Sequence, residues 1–156
     1  MKITLNQTEM ELAAIAGMSR MVQNQTNGTN SNGTRKLDPD INGVGGEIAV
    51  CKYFNKYPDL TIGPHYRGFD LKVGKTKVDV KTTTYLPGYL QSKTNKTKKD
   101  CDVFILVHAK FPDFTILGGI QSEEFLQPWN IKDMGYGDKY ILEHATLKPL
   151  QQIFVR

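Results

Sequence analysis

The sequence predicts a single α/β domain in which helices flank a mixed central β-sheet. In the N-terminal third, apolar residues recur every three or four positions, the spacing of an amphipathic helix. From about residue 69 to 80 they alternate with polar residues, as in a β-strand. The uninterrupted apolar run 103–107 predicts a central strand covered on both faces by helices. The 156 residues have the length of one ordinary domain.

Two helices are expected to precede the strands. The first extends from about residue 7 to 25, and a loop rich in Asn, Gly and Thr, expected to be mobile, follows from about 26 to 36. The second begins either after Asp38-Pro39 or within the glycine-rich stretch 43–46, and ends near Lys56.

The C-terminal half supplies three shorter elements. A strand over 114–117 is expected to end at Gly118-Gly119. Ser122 is the expected N-cap of a short helix with acidic residues in its first turn. A last strand is expected at 140–142.

Composition limits the classes of partner. The net charge of +4, from 20 Lys and Arg against 16 Asp and Glu, favours polyanions such as DNA. Cys51 and Cys101 form no Cys-x-x-Cys pair, which argues against a structural zinc site. No apolar run approaches the roughly 20 residues of a membrane span, and no export signal is recognised. We expect a cytoplasmic protein that does not associate with membranes.

The alternating stretch predicts a β-hairpin whose turn is Gly74-Lys75, because a type II′ turn prefers glycine at its first central position. Val73 then pairs with Thr76. Counting back along both strands places Asp70 directly opposite Asp79, with Cβ atoms about 4.5 to 5.5 Å apart.

The acids and a lysine are expected to share one face of this hairpin. Side chains two apart on a strand point the same way, so Lys81 joins Asp70 and Asp79. Two facing carboxylates repel unless a proton or cation lies between them, and Mg²⁺ prefers oxygen ligands. The pattern therefore predicts a divalent metal site beside a lysine that can stabilise charge on a phosphate. The residues expected on the opposite, apolar face are Phe69, Leu71, Val73, Val78 and Val80.

Asp70 followed by Asp79-Val80-Lys81, with a helix bearing Glu47 before them, resembles the PD-(D/E)xK nuclease superfamily. The stretch 43–49, GVGGEIA, resembles the glycine-rich helix start of its small stand-alone phage and bacterial members. Phe69 stands where the superfamily has a proline. The resemblance extends over about residues 40 to 125.

The resemblance implies a restriction-endonuclease-like core and a deoxyribonuclease, specifically an endonuclease, that requires Mg²⁺ or Mn²⁺ and hydrolyses phosphodiester bonds of DNA. It implies that Glu47, Asp70 and Asp79 bind the metal and that Lys81 is the catalytic lysine. If a phage encodes the chain, the location is the host cytoplasm. Two plainer explanations stay open: Glu47 as an acid that stabilises a helix N-terminus, and the hairpin charges as an ordinary solvated face.

Several residues near the expected site are candidates for contact with nucleic acid. A lysine-rich loop either contacts phosphates or is merely solvated. Two further residues flank the site and either hold the substrate or pack at strand ends. The candidates are Lys93, Lys96, Lys98, Lys99, Tyr85 and Arg67.

Two alternative functions remain open at this stage. One is a Holliday-junction or other structure-selective resolvase of the same fold, expected to act as a symmetric dimer. The other is a nonenzymatic module of the same fold that binds nucleic acid or protein. The sequence also leaves open a homodimer, and a protein partner that supplies specificity.

Overall fold

The computed structural model describes residues 1–26, 38–61 and 68–155. These residues form an α/β domain. Its helices are α1 (Gln7–Thr26), α2 (Asp38–Tyr53), α3 (Ser122–Phe125) and α4 (Leu150–Ile153). Its strands are β1 (Lys2–Thr4), β2 (Leu71–Val73), β3 (Thr76–Thr83), β4 (Tyr89–Lys93), β5 (Val103–Lys110), β6 (Asp113–Gln121), β7 (Ile131–Asp133) and β8 (Asp138–Glu143). Apart from Thr26, the loop expected at 26–36 lies outside the described residues.

The main sheet has five strands in the order β1-β6-β5-β3-β2. Only β3 and β5 pair in parallel, so the sheet is mixed, as expected. Its central strand β5 is buried from Val103 to Val107. The five-stranded sheet therefore has the predicted apolar strand at its middle.

The two faces of this sheet are covered by different structures. Helices α1 and α2 pack on one face, over Val78, Val80 and Ile105. The other face, which carries Phe104 and Leu106, packs against the three-stranded sheet β4-β8-β7 and α3. The expectation of helices on both faces was therefore wrong. A strand that is apolar on both sides shows that both are covered, but not by what.

The hairpin has the predicted register. Gly74 has a φ of 62° and Lys75 does not share the positive φ, as a type II′ turn requires. Val73 pairs with Thr76 and Leu71 with Val78. The prediction for Phe69 was wrong. Phe69 packs against the apolar cluster that includes Phe104, on the other face of the sheet, and not with Leu71. Regular pairing ends at Leu71, so the strand alternation no longer fixes the direction of the Phe69 side chain.

The two long helices lie where helices were expected. At the start of α1, the Asn6 side chain accepts a hydrogen bond from the Glu9 N–H at 2.9 Å, and the Glu9 carboxylate accepts one from the Asn6 N–H at 2.7 Å. Helix α2 begins at Asp38, the first of the two starts that the sequence allowed. The helices approach closely at Gly17, where a Cβ would lie 2.8 Å from the backbone N and Cα of Ile41.

Two expectations about the C-terminal half were wrong. Strand β6 continues through Gly118-Gly119 to Gln121, because a bulge opposite Leu106 and Val107 absorbs an extra residue. Ser122 is the first residue of α3 and not its N-cap, and its hydroxyl instead donates to the Cys101 carbonyl at 2.7 Å. Among the described residues, no helix is both long and apolar enough to cross a bilayer.

The close approach at Gly17 predicts opposite effects for two glycine substitutions. Gly17→Ala should lower the free energy of unfolding by about 1–3 kcal/mol, since its methyl group meets backbone that cannot move alone. Gly43→Ala, where a Cβ meets nothing within 4 Å, should raise it by up to about 1 kcal/mol through helix propensity. Urea denaturation measures both. Equal effects of the two changes would contradict this account of the helix contact.

Candidate functional site

Asp79 lies in β3, and its side chain is only 5% exposed. Both carboxylate oxygens contact lysine ammonium groups. The Lys81 Nζ lies 2.6 Å from Oδ1, and the Lys96 Nζ lies 2.5 Å from Oδ2. A buried carboxylate is costly unless it is paired, and these two contacts supply the pairing.

Asp70 comes directly before β2 and extends the hairpin by one step. Its N–H donates to the Val78 carbonyl at 2.8 Å, and its Oδ2 accepts from the Val80 N–H at 2.7 Å. Strand β2 does not extend far enough to pair with Val80, so the Asp70 carboxylate accepts the Val80 N–H hydrogen bond in place of a strand carbonyl. The regular pairing ends at Leu71 and Val78, so the predicted pairing of Asp70 directly opposite Asp79 stays a prediction, although the charge of Asp79 acts on Asp70.

Burial and two neighbouring charges make Asp70 difficult to ionise. Burial, then the charges of Glu47 and Asp79, raise the pKa of Asp70 from its ordinary value of 3.8 to about 8. The Val80 N–H and the charge of Lys81 oppose this shift without cancelling it. At neutral pH, Asp70 therefore keeps a proton unless another cation approaches it.

Lys81 carries a positive charge in this environment. Burial lowers the pKa of Lys81, but the charge and hydrogen bond of Asp79, with the charge of Asp70, outweigh burial and raise that pKa. A general base would need a lowered pKa. The geometry therefore favours charge stabilisation by the Lys81 ammonium group over proton abstraction.

Glu47 is held by a partner that the sequence reasoning missed. Arg20 of α1 donates to both Glu47 oxygens, at 2.8 and 3.1 Å, and the two side chains are 13% and 16% exposed. Glu47 lies well inside α2, which begins at Asp38, so a helix N-terminus does not explain it. The only sequence signal for Arg20 is its position one turn after Gly17, where the helices meet.

The five candidate contacts for nucleic acid that the structure describes divide into two groups. Lys93, Lys98, Lys99 and Tyr85 are exposed. Lys96 is largely buried, because its ammonium group reaches Asp79. Arg67 lies outside the described residues. The exposed lysines can face a polyanion, whereas Lys96 belongs to the site itself.

The donor set fits a divalent cation in its chemistry. Asp79 Oδ1 is buried, and its partner among the described residues is the Lys81 ammonium group, 2.6 Å away. Asp70 lies beside it, and carboxylate oxygens are ligands that Mg²⁺ accepts. Among the described residues, no group of three or more acidic, His or Cys ligands is already arranged around one point. Asp70 and Asp79 are thus the two carboxylates here that could hold a cation together.

A cleft of about 470 Å³ opens beside Asp70. Its walls combine positive and aromatic side chains with two acids. A second cavity, of about 520 Å³, lies between α1, α2 and the β5–β6 turn, but none of the site's residues line it. The residues that line the first cleft are Lys56, Tyr57, Asp59, Phe69, Asp70, Leu71 and Lys72.

Comparisons with protein-family models, with curated proteins and with solved structures found no match to this chain. Its function must therefore be inferred from the residues of the site.

The raised pKa of Asp70 predicts how stability depends on pH without metal. The folded protein holds the Asp70 proton more tightly than the unfolded chain, so stability should fall as pH rises from about 4 to about 8 and then level off. Asp70→Asn keeps an acceptor for the Val80 N–H but cannot ionise. Its free energy of unfolding should exceed that of the wild type by about 1–3 kcal/mol at pH 8 and match it at pH 4.

Urea denaturation in EDTA at both pH values measures this difference. Asp138→Asn, an exposed acid on β8, is the matched control and should follow the wild-type profile. An Asp70→Asn profile identical to that of the wild type would show that Asp70 ionises normally.

Proposed function

We propose that the protein is a Mg²⁺- or Mn²⁺-dependent deoxyribonuclease, and specifically an endonuclease of the cytoplasm. The observation that supports this most strongly is the proximity of two carboxylates, that of Asp70 directly before β2 and that of Asp79 on β3. One buried oxygen of Asp79 has a lysine ammonium group, that of Lys81, as its partner among the described residues, and Asp70 resists ionisation. A divalent cation would satisfy both groups.

A structural ion pair alone does not account for this arrangement. Asp79 is already paired with two lysines, yet Asp70 is held near it, and the donor that its carboxylate has among the described residues is the Val80 N–H. Ionising Asp70 near the charged Asp79 costs stability because like charges repel, so an acid buried at this position is unfavourable as a purely structural feature. A bound Mg²⁺ would offset this repulsion and supply Lewis acidity and a water of lowered pKa.

In this proposal, Lys81 would act on the phosphate. Its ammonium group is 2.6 Å from Asp79 Oδ1, and its side chain is 36% exposed, so it lies between the buried acid and the solvent. From there the charge of Lys81 would stabilise the negative charge that develops on the scissile phosphate. Asp79 keeps this lysine charged and oriented.

Glu47 remains a metal ligand only by resemblance. Arg20 donates to both of its oxygens, so direct ligation would use a second lone pair of an oxygen that already accepts a hydrogen bond. The charge of Glu47 nevertheless acts on Asp70, raising its pKa. We propose that Glu47 increases the attraction of the site for a cation, whether or not it touches the metal.

DNA is the proposed substrate because the surroundings of the acids suit a polyanion. Lys56 and Lys72 line the cleft beside Asp70, together with the ring of Tyr57, which is 87% exposed. Lysines there would contact phosphates, and an exposed ring can stack on a base. Such contacts position the backbone without reading the sequence.

A nonenzymatic binding module is the second candidate. One observation favours it: three carboxylates, Glu47, Asp70 and Asp79, are accompanied by three cationic side chains, those of Arg20, Lys81 and Lys96. Because Asp70 keeps its proton, the three cations already compensate the two ionised acids without a metal, a state that a binding protein could retain. Catalysis distinguishes the two candidates.

Cleavage of supercoiled plasmid tests the proposed function. The wild type should cut with Mg²⁺ or Mn²⁺ at low salt and should not cut in EDTA. Asp79→Asn should remove cutting, because it removes a ligand charge. Lys81→Met should slow cutting by about a hundredfold or more, because it removes the charge beside the phosphate. Gel electrophoresis of the products measures each rate.

Lys75→Met is the matched control, since Lys75 is exposed in the turn of the same hairpin, away from the acids. It should cut at close to the wild-type rate. If the wild type cuts nothing with either metal, or if Asp79→Asn cuts as well as the wild type, the binding module becomes the better description.

A further inference from the structure

Lys96 differs from the other lysines of its loop. Its side chain is 16% exposed, against 56% for Lys98, whose ammonium group lies 3.7 Å from Glu123 at the surface. The Lys96 ammonium group instead donates to Asp79 Oδ2 at 2.5 Å and to the Gly68 carbonyl at 2.6 Å. The Lys96 ammonium group therefore lies inside the site, whereas that of Lys98 lies at the surface.

The loop that carries Lys96 is held in place by its own hydrogen bonds. The Thr97 N–H and hydroxyl donate to the Asp100 carboxylate at 2.8 and 3.2 Å, and the Asp100 N–H donates to the Thr97 carbonyl at 3.1 Å. Gly68, with a φ of 72°, packs so closely that a Cβ there would lie 2.7 Å from the Asp100 Cβ. The backbone beside Lys96 is thus fixed against Gly68.

One ammonium group therefore connects the two segments that carry the acids. Gly68 lies two residues before Asp70, and Asp79 lies on the neighbouring strand. By binding Oδ2 of Asp79, Lys96 fixes the carboxylate and leaves Oδ1 to the Lys81 ammonium group, 2.6 Å away. Lys81, which is near Oδ1, is the more exposed of the two lysines.

We propose that Lys96 is a positioning residue that holds Asp79 and the Asp70 segment in the geometry that binds a divalent cation. This inference rests on the proposed nuclease function. It assigns Lys96 a role toward the acids and not toward DNA phosphates. Residues that orient metal ligands in this way typically change metal affinity or activity by about 10- to 100-fold when they are replaced.

Mn²⁺ affinity tests the proposal, because the two simplest effects of removing Lys96 have opposite signs. Loss of a positive charge beside the site would by Coulomb's law alone strengthen the binding of a cation. Loss of positioning would weaken it. We expect Lys96→Met to weaken Mn²⁺ binding by about tenfold or more, measured by isothermal titration calorimetry and by electron paramagnetic resonance of free Mn²⁺.

Matched variants separate this role from others. Lys98→Met, two residues away and exposed, should keep the wild-type Mn²⁺ affinity. Lys96→Arg, which retains a charged donor, should recover part of the lost affinity. Circular dichroism checks that each variant is folded. If Lys96→Met does not fold, Lys96→Gln replaces it, since its amide can still donate to Gly68, and the same weakening is expected.

The outcomes distinguish this proposal from the one on which it rests. If the wild type binds no Mn²⁺, both are overturned. If the wild type binds Mn²⁺ and Lys96→Met, or its replacement, binds it equally or more tightly, only the role of Lys96 is overturned. Lys96→Met could instead keep the Mn²⁺ affinity and lower by about one the slope of the logarithm of the DNA-binding constant against the logarithm of salt concentration. That result would make Lys96 a phosphate contact and would also overturn the positioning role.

Discussion

Two carboxylates are placed side by side because an antiparallel hairpin has a fixed register. The turn at Gly74-Lys75 fixes the pairing as far as Leu71, and the hydrogen bonds of Asp70 with the Val78 carbonyl and the Val80 N–H then hold it near Asp79. Other contacts and charges of the site follow from this proximity of two acids. They include the lysines on Asp79, the Val80 N–H on Asp70 and the raised pKa of Asp70.

The surrounding architecture supplies the groups that make this arrangement tolerable. Helix α1 brings Arg20 to Glu47 through the close helix contact at Gly17, and the loop before β5 brings Lys96 to Asp79. Both partners come from outside the hairpin, from opposite sides of the main sheet. The acids are thus held by long-range contacts, whereas their adjacency is local. One short segment therefore contains both acids, whereas the rest of the domain supplies the charged partners that surround them.

The local features of the fold were predictable from the sequence, and the long-range ones were not. Alternation and one glycine were enough for the hairpin register, since both act within a few residues. The three-stranded sheet was missed because β4 pairs with β8, about fifty residues later, and no local pattern specifies that partner. Lys96 could not be distinguished in advance from Lys93, Lys98 and Lys99, because the four share one polar loop and only the tertiary structure buries one of them. Arg20 was missed for the same reason.

The central claim is that Asp70 and Asp79 together bind a divalent cation. A crystal structure of the wild-type protein grown with Mn²⁺, with anomalous diffraction data collected near the manganese absorption edge, tests it most directly. If the two acids bind the cation together, we expect an anomalous peak within coordination distance of the Asp70 carboxylate and of Asp79 Oδ1, with the Lys96 ammonium group still on Asp79 Oδ2. An ion-free pair of acids at saturating Mn²⁺, or a peak located only elsewhere on the protein, would contradict it.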